Sequence, residues 1–199
     1  MELVVFRAHP VPLDGLAALP EELDGSRGDN RLSQDHCQIQ ADNDWQAIQC
    51  WLAEFEDSPQ THRNYRKEAE RLLLWSIKER RRPISSLLRE DFQAYQVFLA
   101  NPQPEAYWCG PRSPRHSAAW KPFQGPLRES SQRQSLIVVN ALLSYWVDAG
   151  YIRGNPLSLI RRRNKKLTPS THDVIAQERF LDQKTWEHLK GYIVALPQG

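Results

Sequence analysis

Cysteine is scarce in this chain of 199 residues, with Cys37, Cys50 and Cys109 the full set. An odd number at those spacings matches no disulfide framework and no CxxC zinc pair, so reduced structural thiols are expected. Long apolar runs are missing as well. No stretch approaches the ~20 consecutive apolar residues that a membrane span needs, and the N-terminus lacks the basic and apolar regions of a signal peptide. A cytoplasmic chain with no membrane partner is the expectation. Catalytic signatures are also absent: no GxSxG, Walker A, GxGxxG or HExxH occurs, and His9, His36, His62, His116, His172 and His188 stand singly. His36, Cys37 and Cys50 fit no common zinc spacing. No catalytic residue, metal, cofactor or small-molecule substrate is therefore expected, and electrostatics and stacking are the chemistry on offer.

What the chain does hold is an uneven charge. The formal net charge is +2, yet residues 1–57 carry 3 Lys/Arg against 12 Asp/Glu, a net of −9, while residues 58–166 carry 20 against 8, a net of +12. A basic body beside an acidic leader suits a polyanion, because cations that neutralise phosphates release condensed counterions. A solvated charged face is the plain alternative. With 40% hydrophobic residues the chain can bury a core, and its length suits one domain plus part of a second.

Periodicity divides the chain further. Residues 1–41 read as an acidic leader, with one β-like run, Leu3 to Phe6, and then turn-forming Pro10, Pro12, Gly15, Pro20, Gly25 and Gly28. Trp45, Ile48, Leu52 and Phe55 make one apolar stripe, predicting a helix over 44–56 capped by Asp42 or Asp44. Ser58-Pro59 opens a second helix whose Tyr65, Ala69, Leu72, Leu73 and Ile77 keep helical spacing to about Arg80, with Pro83 as its stop. Leu88, Phe92, Tyr95 and Leu99 predict a third over 89–100. Residues 101–129, rich in Pro and Gly, form an inserted loop, and its Tyr107, Trp108, Trp120 and Phe123 imply that it packs on something. Ser130 is placed to cap a fourth helix that runs to Asp148 before Gly150. A short helix over 156–162, a basic linker over 161–178 and a last helical segment over 179–199 complete the reading.

Three constellations are suited to phosphate. Arg63, Arg66, Lys67 and Arg71 fall at i, i+3, i+4 and i+8 of the second helix, along one side of it, interrupted by Glu68 and Glu70. Arg128, Gln132 and Arg133 stand at the start of the fourth, where unpaired backbone N–H groups join side chains able to read base edges. Arg161, Arg162, Arg163, Lys165 and Lys166 form a basic strap. Surface Arg/Glu pairs, a well-capped first turn and a solvated linker are the structural alternatives.

The order of these pieces resembles a known family. Ser58-Pro59-Gln60-Thr61-His62-Arg63-Asn64-Tyr65, then Leu72 to Trp75, then Arg89 to Tyr95 with Phe98-Leu99, and finally Leu142 to Trp146 with Ala149-Gly150-Tyr151-Ile152-Arg153-Gly154-Asn155-Pro156, is similar to the core-binding domain of tyrosine recombinases, the phage integrase family. The similarity covers roughly residues 42–160. It implies an all-α fold, a SAM-like bundle of four to five helices that clamps one face of duplex DNA while a catalytic domain holds the other. It implies DNA integration and recombination on mobile elements, tetramers on DNA, and a bacterial, nucleoid-associated setting. Arg179 to Trp186 looks like the opening of the catalytic domain, whose Arg, Lys, His-x-x-Arg and Tyr nucleophile would lie further on. The chain alone is thus expected not to be an enzyme, and Tyr192 has no matching context. The loop over 101–129 departs from the minimal pattern. The competing expectations are a standalone helix-turn-helix regulator and a helical interaction adaptor, the latter favoured if the cations of the second helix pair with acids and the loop exposes an apolar patch.

Overall fold

In the computed structural model residues 9–13 and 19–164 are described, with side chains to Ile160. Secondary structure among them is helical, with two isolated β-bridges and no strand. The helices are α1 (Glu21–Asp24), α2 (Asp44–Ala53), α3 (Pro59–Trp75), α4 (Arg89–Ala100), α5 (Glu105–Trp108), α6 (Glu129–Asp148) and α7 (Leu157–Asn164). The all-α expectation holds at that level. No helix among the described residues is long and apolar enough to cross a membrane.

The apolar spacing reaches the core as read. Leu72, Leu73, Trp75 and Ile77 meet Phe92, Tyr95 and Leu99 of α4 and Val139, Leu142, Leu143 and Trp146 of α6, all of them buried. Burying each such side chain contributes roughly 1.5–3 kcal/mol relative to exposure. Trp51 of α2 stacks on Tyr65 of α3 at 5.0 Å, and Phe55 meets the same ring edge-on at 4.7 Å. α3 packs on α2 and α6, and α6 also packs on α4.

The helix ends correct several local expectations. Asn43, and neither Asp42 nor Asp44, caps α2 by accepting from the Gln46 N–H at 2.9 Å. Asp44 is drawn wholly inside instead, where its carboxylate accepts from the Ser85 N–H and the Tyr151 hydroxyl, both at 2.9 Å. Pro59 does start α3 after Ser58, and the helix passes into a π-helical segment, Ser76–Arg80, that ends on Arg81 in the left-handed region at φ 51°. α6 begins one residue before Ser130, so Arg128 occupies the cap position with no side-chain bond.

The acidic leader is not a segment apart. Leu13 and Leu23 are buried in the common core, and the described residues up to Ile160 belong to one compact unit. Backbone bonds from Leu32 N–H to Tyr151 O (3.2 Å), Gln38 N–H to Ala149 O (2.8 Å) and Arg153 N–H to Asn30 O (2.8 Å) run the leader alongside the chain after α6. No side-chain period accompanies such backbone pairing, so its sequence reads as turns. The β-like run at Leu3–Phe6, the linker beyond Asn164, the segment over 179–199 and Tyr192 lie outside the described residues.

The inserted loop packs as expected of its aromatics. Trp108 and Phe123 are fully buried against Phe98, at 5.0 and 5.7 Å between ring centres, and Gly110 N–H to Phe123 O with Phe123 N–H to Trp108 O closes the loop on itself.

Candidate functional site

The predicted ridge on α3 divides into exposed and buried members. Arg63 is exposed and donates to Gln60 Oε1 at 3.1 Å; Arg66 is half-buried; Lys67 is exposed and donates to Asn64 Oδ1 at 3.0 Å. Arg71 is a correction. It is buried, its Nη1 lies 2.9 Å from Glu68 Oε1, its Nε donates to the Pro122 carbonyl at 2.9 Å, and its guanidinium sits 4.4 Å from the centre of the Phe123 ring. A guanidinium with its planar donors used this way fastens the inserted loop to α3 and is not presented to a ligand.

Glu68 and Glu70, read as interruptions of the ridge, are its pins. Both are buried. Glu68 Oε1 takes Lys67 at 3.0 Å together with Arg71, and its Oε2 accepts from Ser135 of α6 at 2.7 Å. Glu70 receives a two-pronged Arg115, at 2.8 and 2.6 Å, and the Leu13 N–H at 2.8 Å. Buried carboxylates demand such pairing, because an ion removed from water without partners is strongly disfavoured.

Glu68 thereby brings two of the predicted elements together. Ser135 lies one turn beyond Ser131 and Gln132 on α6, so Lys67 and the start of α6 are linked through one carboxylate. Arg128 and Arg133 are exposed there, Arg133 pairing with Glu129 at 3.0 Å; both side chains are more than two-thirds exposed, and that pair contributes little. Gln132 donates to the Leu127 carbonyl at 2.6 Å, closing the loop onto the helix, which takes its amide away from the base-reading role expected of it. Arg161, Arg162 and Arg163 are carried on the last turns of α7, while Lys165 and Lys166 lie outside the described residues.

Sequence reasoning passed over one cluster. Lys78, Arg80, Arg81 and Arg82 put four cations in five positions where α3 ends, a density visible in the sequence but hidden by the search for helical spacing. Arg80 Nε donates to the buried Asp91 carboxylate at 2.6 Å and Arg82 stands 3.9 Å from it. Lys78 lies 4.5 Å from the centre of the Tyr107 ring, and Lys121 of the loop lies 5.7 Å from the same ring. Burial first, and then the Glu79 charge, push the Tyr107 phenol up to about 12, so it stays neutral between them.

The closing motif has a physical account residue by residue. Gly150 adopts φ 68° to end α6, Tyr151 and Ile152 are buried, and Asn155 Oδ1 accepts from the Leu157 and Ser158 N–H groups at 3.0 and 3.3 Å to cap α7. These are folding roles. Among the described residues no three His, Cys, Asp or Glu side chains gather as metal donors, and the three cysteines are unpaired thiols. No family model matches the chain, and no match is found among the curated proteins or the solved structures.

Proposed function

We propose that the chain is the duplex-DNA-binding part of a tyrosine recombinase, a SAM-like core-binding domain that holds one face of the duplex while strand exchange belongs to a catalytic domain. The observation that carries this reading is the junction of α3 and α6 at Glu68 and Ser135, which joins the helix bearing exposed Arg63 and Lys67 to the helix whose start bears exposed Arg128, at the cap position, and Arg133, in the second turn. Cations on two touching helices can follow a phosphate backbone, and the orphan N–H groups of the first turn of α6 add to them. Assembly into a tetramer on DNA belongs to the same proposal.

The adaptor reading draws on one specific observation, the pairing of Lys67 and Arg71 with Glu68. It lacks its second requirement, since Trp108 and Phe123 are buried and the loop offers no exposed pair of large aromatics. A helix-turn-helix regulator would need a short turn where α4 and α6 are joined by residues 101–128.

Titration of a labelled duplex with the whole chain, across a range of salt, tests the proposal. About five phosphate contacts give a slope of log K against log salt near −4 to −5. Absence of binding at low salt, or binding indifferent to salt, would overturn it.

A further inference from the structure

Two segments outside the helical bundle meet on Glu70 of α3. From the leader, the Leu13 N–H donates to Glu70 Oε1 at 2.8 Å; from the inserted loop, Arg115 donates to the same oxygen at 2.6 Å and to Oε2 at 2.8 Å. One carboxylate therefore fastens both.

Each segment arrives locally ordered. Pro10, Pro12 and Leu13 are buried, Leu13 as part of the common core. Arg115 is carried on two successive turns, closed by Ser117 N–H to Pro114 O at 2.9 Å and by Trp120 N–H to Ser117 O at 3.0 Å, and its guanidinium stands 5.8 Å from the centre of the Trp120 ring. The ends of this stretch are drawn together by the Gly110 N–H on Phe123 O, and the far end is held where Pro122 O accepts from Arg71. Between those points Arg115 ties the turns to α3.

Burial makes the sharing consequential. The Glu70 side chain is 3% exposed and that of Arg115 28%, so the loop side of the pair is the one that water already reaches. When Arg115 leaves, Glu70 loses two charge-assisted bonds while still covered. A buried carboxylate stripped of its cation is strongly disfavoured, and rehydrating it requires the residues packed on it, Leu13 among them, to move aside. In the opposite direction, lifting Leu13 admits water to the carboxylate and screens its attraction for Arg115.

We propose that residues 9–13 of the leader and the loop turns over 113–120 are a two-part strap across α3, coupled through Glu70, so that an event displacing one part releases the other. Such a coupling is reciprocal: the factor by which the closed leader protects the loop equals the factor by which the closed loop protects the leader. Its opening is local, below the free energy of global unfolding. The inference stands apart from the DNA reading.

Residue-by-residue amide hydrogen exchange of the whole chain tests it, with Leu13 reporting the leader, Ser117 and Trp120 the loop, and Tyr95 and Leu99 of α4 the bundle. In Arg115→Gln the Leu13 amide is expected to exchange about 5-fold faster or more, and in Leu13→Ala the Ser117 and Trp120 amides are expected to accelerate by a similar factor, with the α4 amides unchanged in both. Should Leu13→Ala lose protection in α4 as well, Leu13→Val replaces it with the same expectation. In a Glu70→Gln background, Arg115→Gln is expected to shift Leu13 exchange by no more than about twofold, because the carboxylate that carries the coupling is gone. Acceleration confined to the mutated segment in each variant would overturn the strap, and an undiminished effect of Arg115→Gln in the Glu70→Gln background would remove Glu70 as its link.

Discussion

The Tyr151 hydroxyl donates to Asp44 Oδ1 at 2.9 Å and so ties the first turn of α2 to a residue 107 positions further on. The other oxygen of Asp44 accepts the Ser85 N–H at 2.9 Å, and Arg31 of the leader lies over the Tyr151 ring at 3.8 Å from its centre. Four segments that share no apolar period are thus joined at one buried carboxylate. Asp44 is fully buried, and burial pushes its carboxyl up from the ordinary 3.8 to about 6, against the lowering effect of its Ser85, Tyr151 and Arg31 partners.

The sign of the resulting pH dependence follows. With the folded value above the unfolded one, the contribution of Asp44 to stability is fully present below about pH 4 and is lost as the pH rises through about 6. The change is roughly 3 kcal/mol. Asp44→Asn removes the titration while its amide oxygen still accepts a bond and the Tyr151 hydroxyl can turn to accept another. Urea melts of both proteins between about pH 4 and pH 7.5 should show the variant gaining on the wild type as the pH rises. Parallel profiles would show that Asp44 stays charged throughout.

Gly25 and Gly150 are required on steric grounds at the same joint. Gly25 sits at φ 88°, and a Cβ there would stand 2.2 Å from the Asp44 carboxyl carbon; Gly150 sits at φ 68°, with the His36 carbonyl oxygen at 2.2 Å from its Cβ position. Each alanine substitution should lower stability by about 1–3 kcal/mol or more through backbone strain, before the clash is added. Gly125→Ala, with nothing within 4 Å, is the control and should be neutral or slightly stabilising. Equal thermal transitions for the three variants would contradict this account.

The contrast between α4 and the leader shows what a sequence reveals. Residues 89–100 were legible because Phe92, Tyr95 and Leu99 repeat at helical spacing and are buried where the spacing puts them. The leader was illegible because, beside the isolated Leu13 and Leu23 in the core, it is attached by backbone bonds to residues 149, 151 and 153, by the Asn30 side-chain amide on the Gly154 carbonyl and by the joint at Asp44, none of which leaves a local pattern. Arg71 fails for a related reason. A helical wheel gives its side of α3 but not that Pro122, 51 positions later, crosses over it. The exposed part of the candidate site, Arg63, Lys67, Arg128 and Arg133, was readable because surface cations depend on few distant partners.

Arg71 and Arg63 should accordingly part company in stability. Arg71→Ala leaves the buried Glu68 with one cation fewer and frees the Pro122 carbonyl, a loss of about 3–5 kcal/mol. It should also open the loop over 101–128 to protease. Arg63→Ala, at an exposed position, should stay within about 0.5 kcal/mol of the wild type. Comparable denaturation midpoints for the two variants would remove Arg71 from its structural role.

No covalent adduct should form when the chain is incubated with nicked duplex, judged by denaturing gel. Burial, as the leading cause, holds the phenols of Tyr95, Tyr107, Tyr145 and Tyr151 above their ordinary value, so none is a ready nucleophile. A shifted band lost on mutating Tyr192, which lies outside the described residues, would reverse this expectation and make the chain an enzyme.

Arg63 and Arg133 should differ in what they do to specificity. Arg63 stands among Gln60, Asn64 and Lys67 on the exposed side of α3, in position to meet phosphate, so Arg63→Ala should weaken all duplexes alike and flatten the salt slope by about one. Arg133 projects from the second turn of α6, close to the helix start, and its single pairing to Glu129 is solvent-exposed and readily exchanged for a base. A two-pronged arginine on guanine contributes roughly 1–3 kcal/mol of discrimination. Arg133→Ala should therefore narrow the gap between a selected site and a scrambled one more than it weakens binding to the scrambled duplex. Gln132 is no longer expected to share that role, because its amide is held by the Leu127 carbonyl at 2.6 Å, and Gln132→Ala should act on the loop junction instead. Equal losses on selected and scrambled duplex for Arg133→Ala would show that the start of α6 only positions the protein and that bases are read elsewhere.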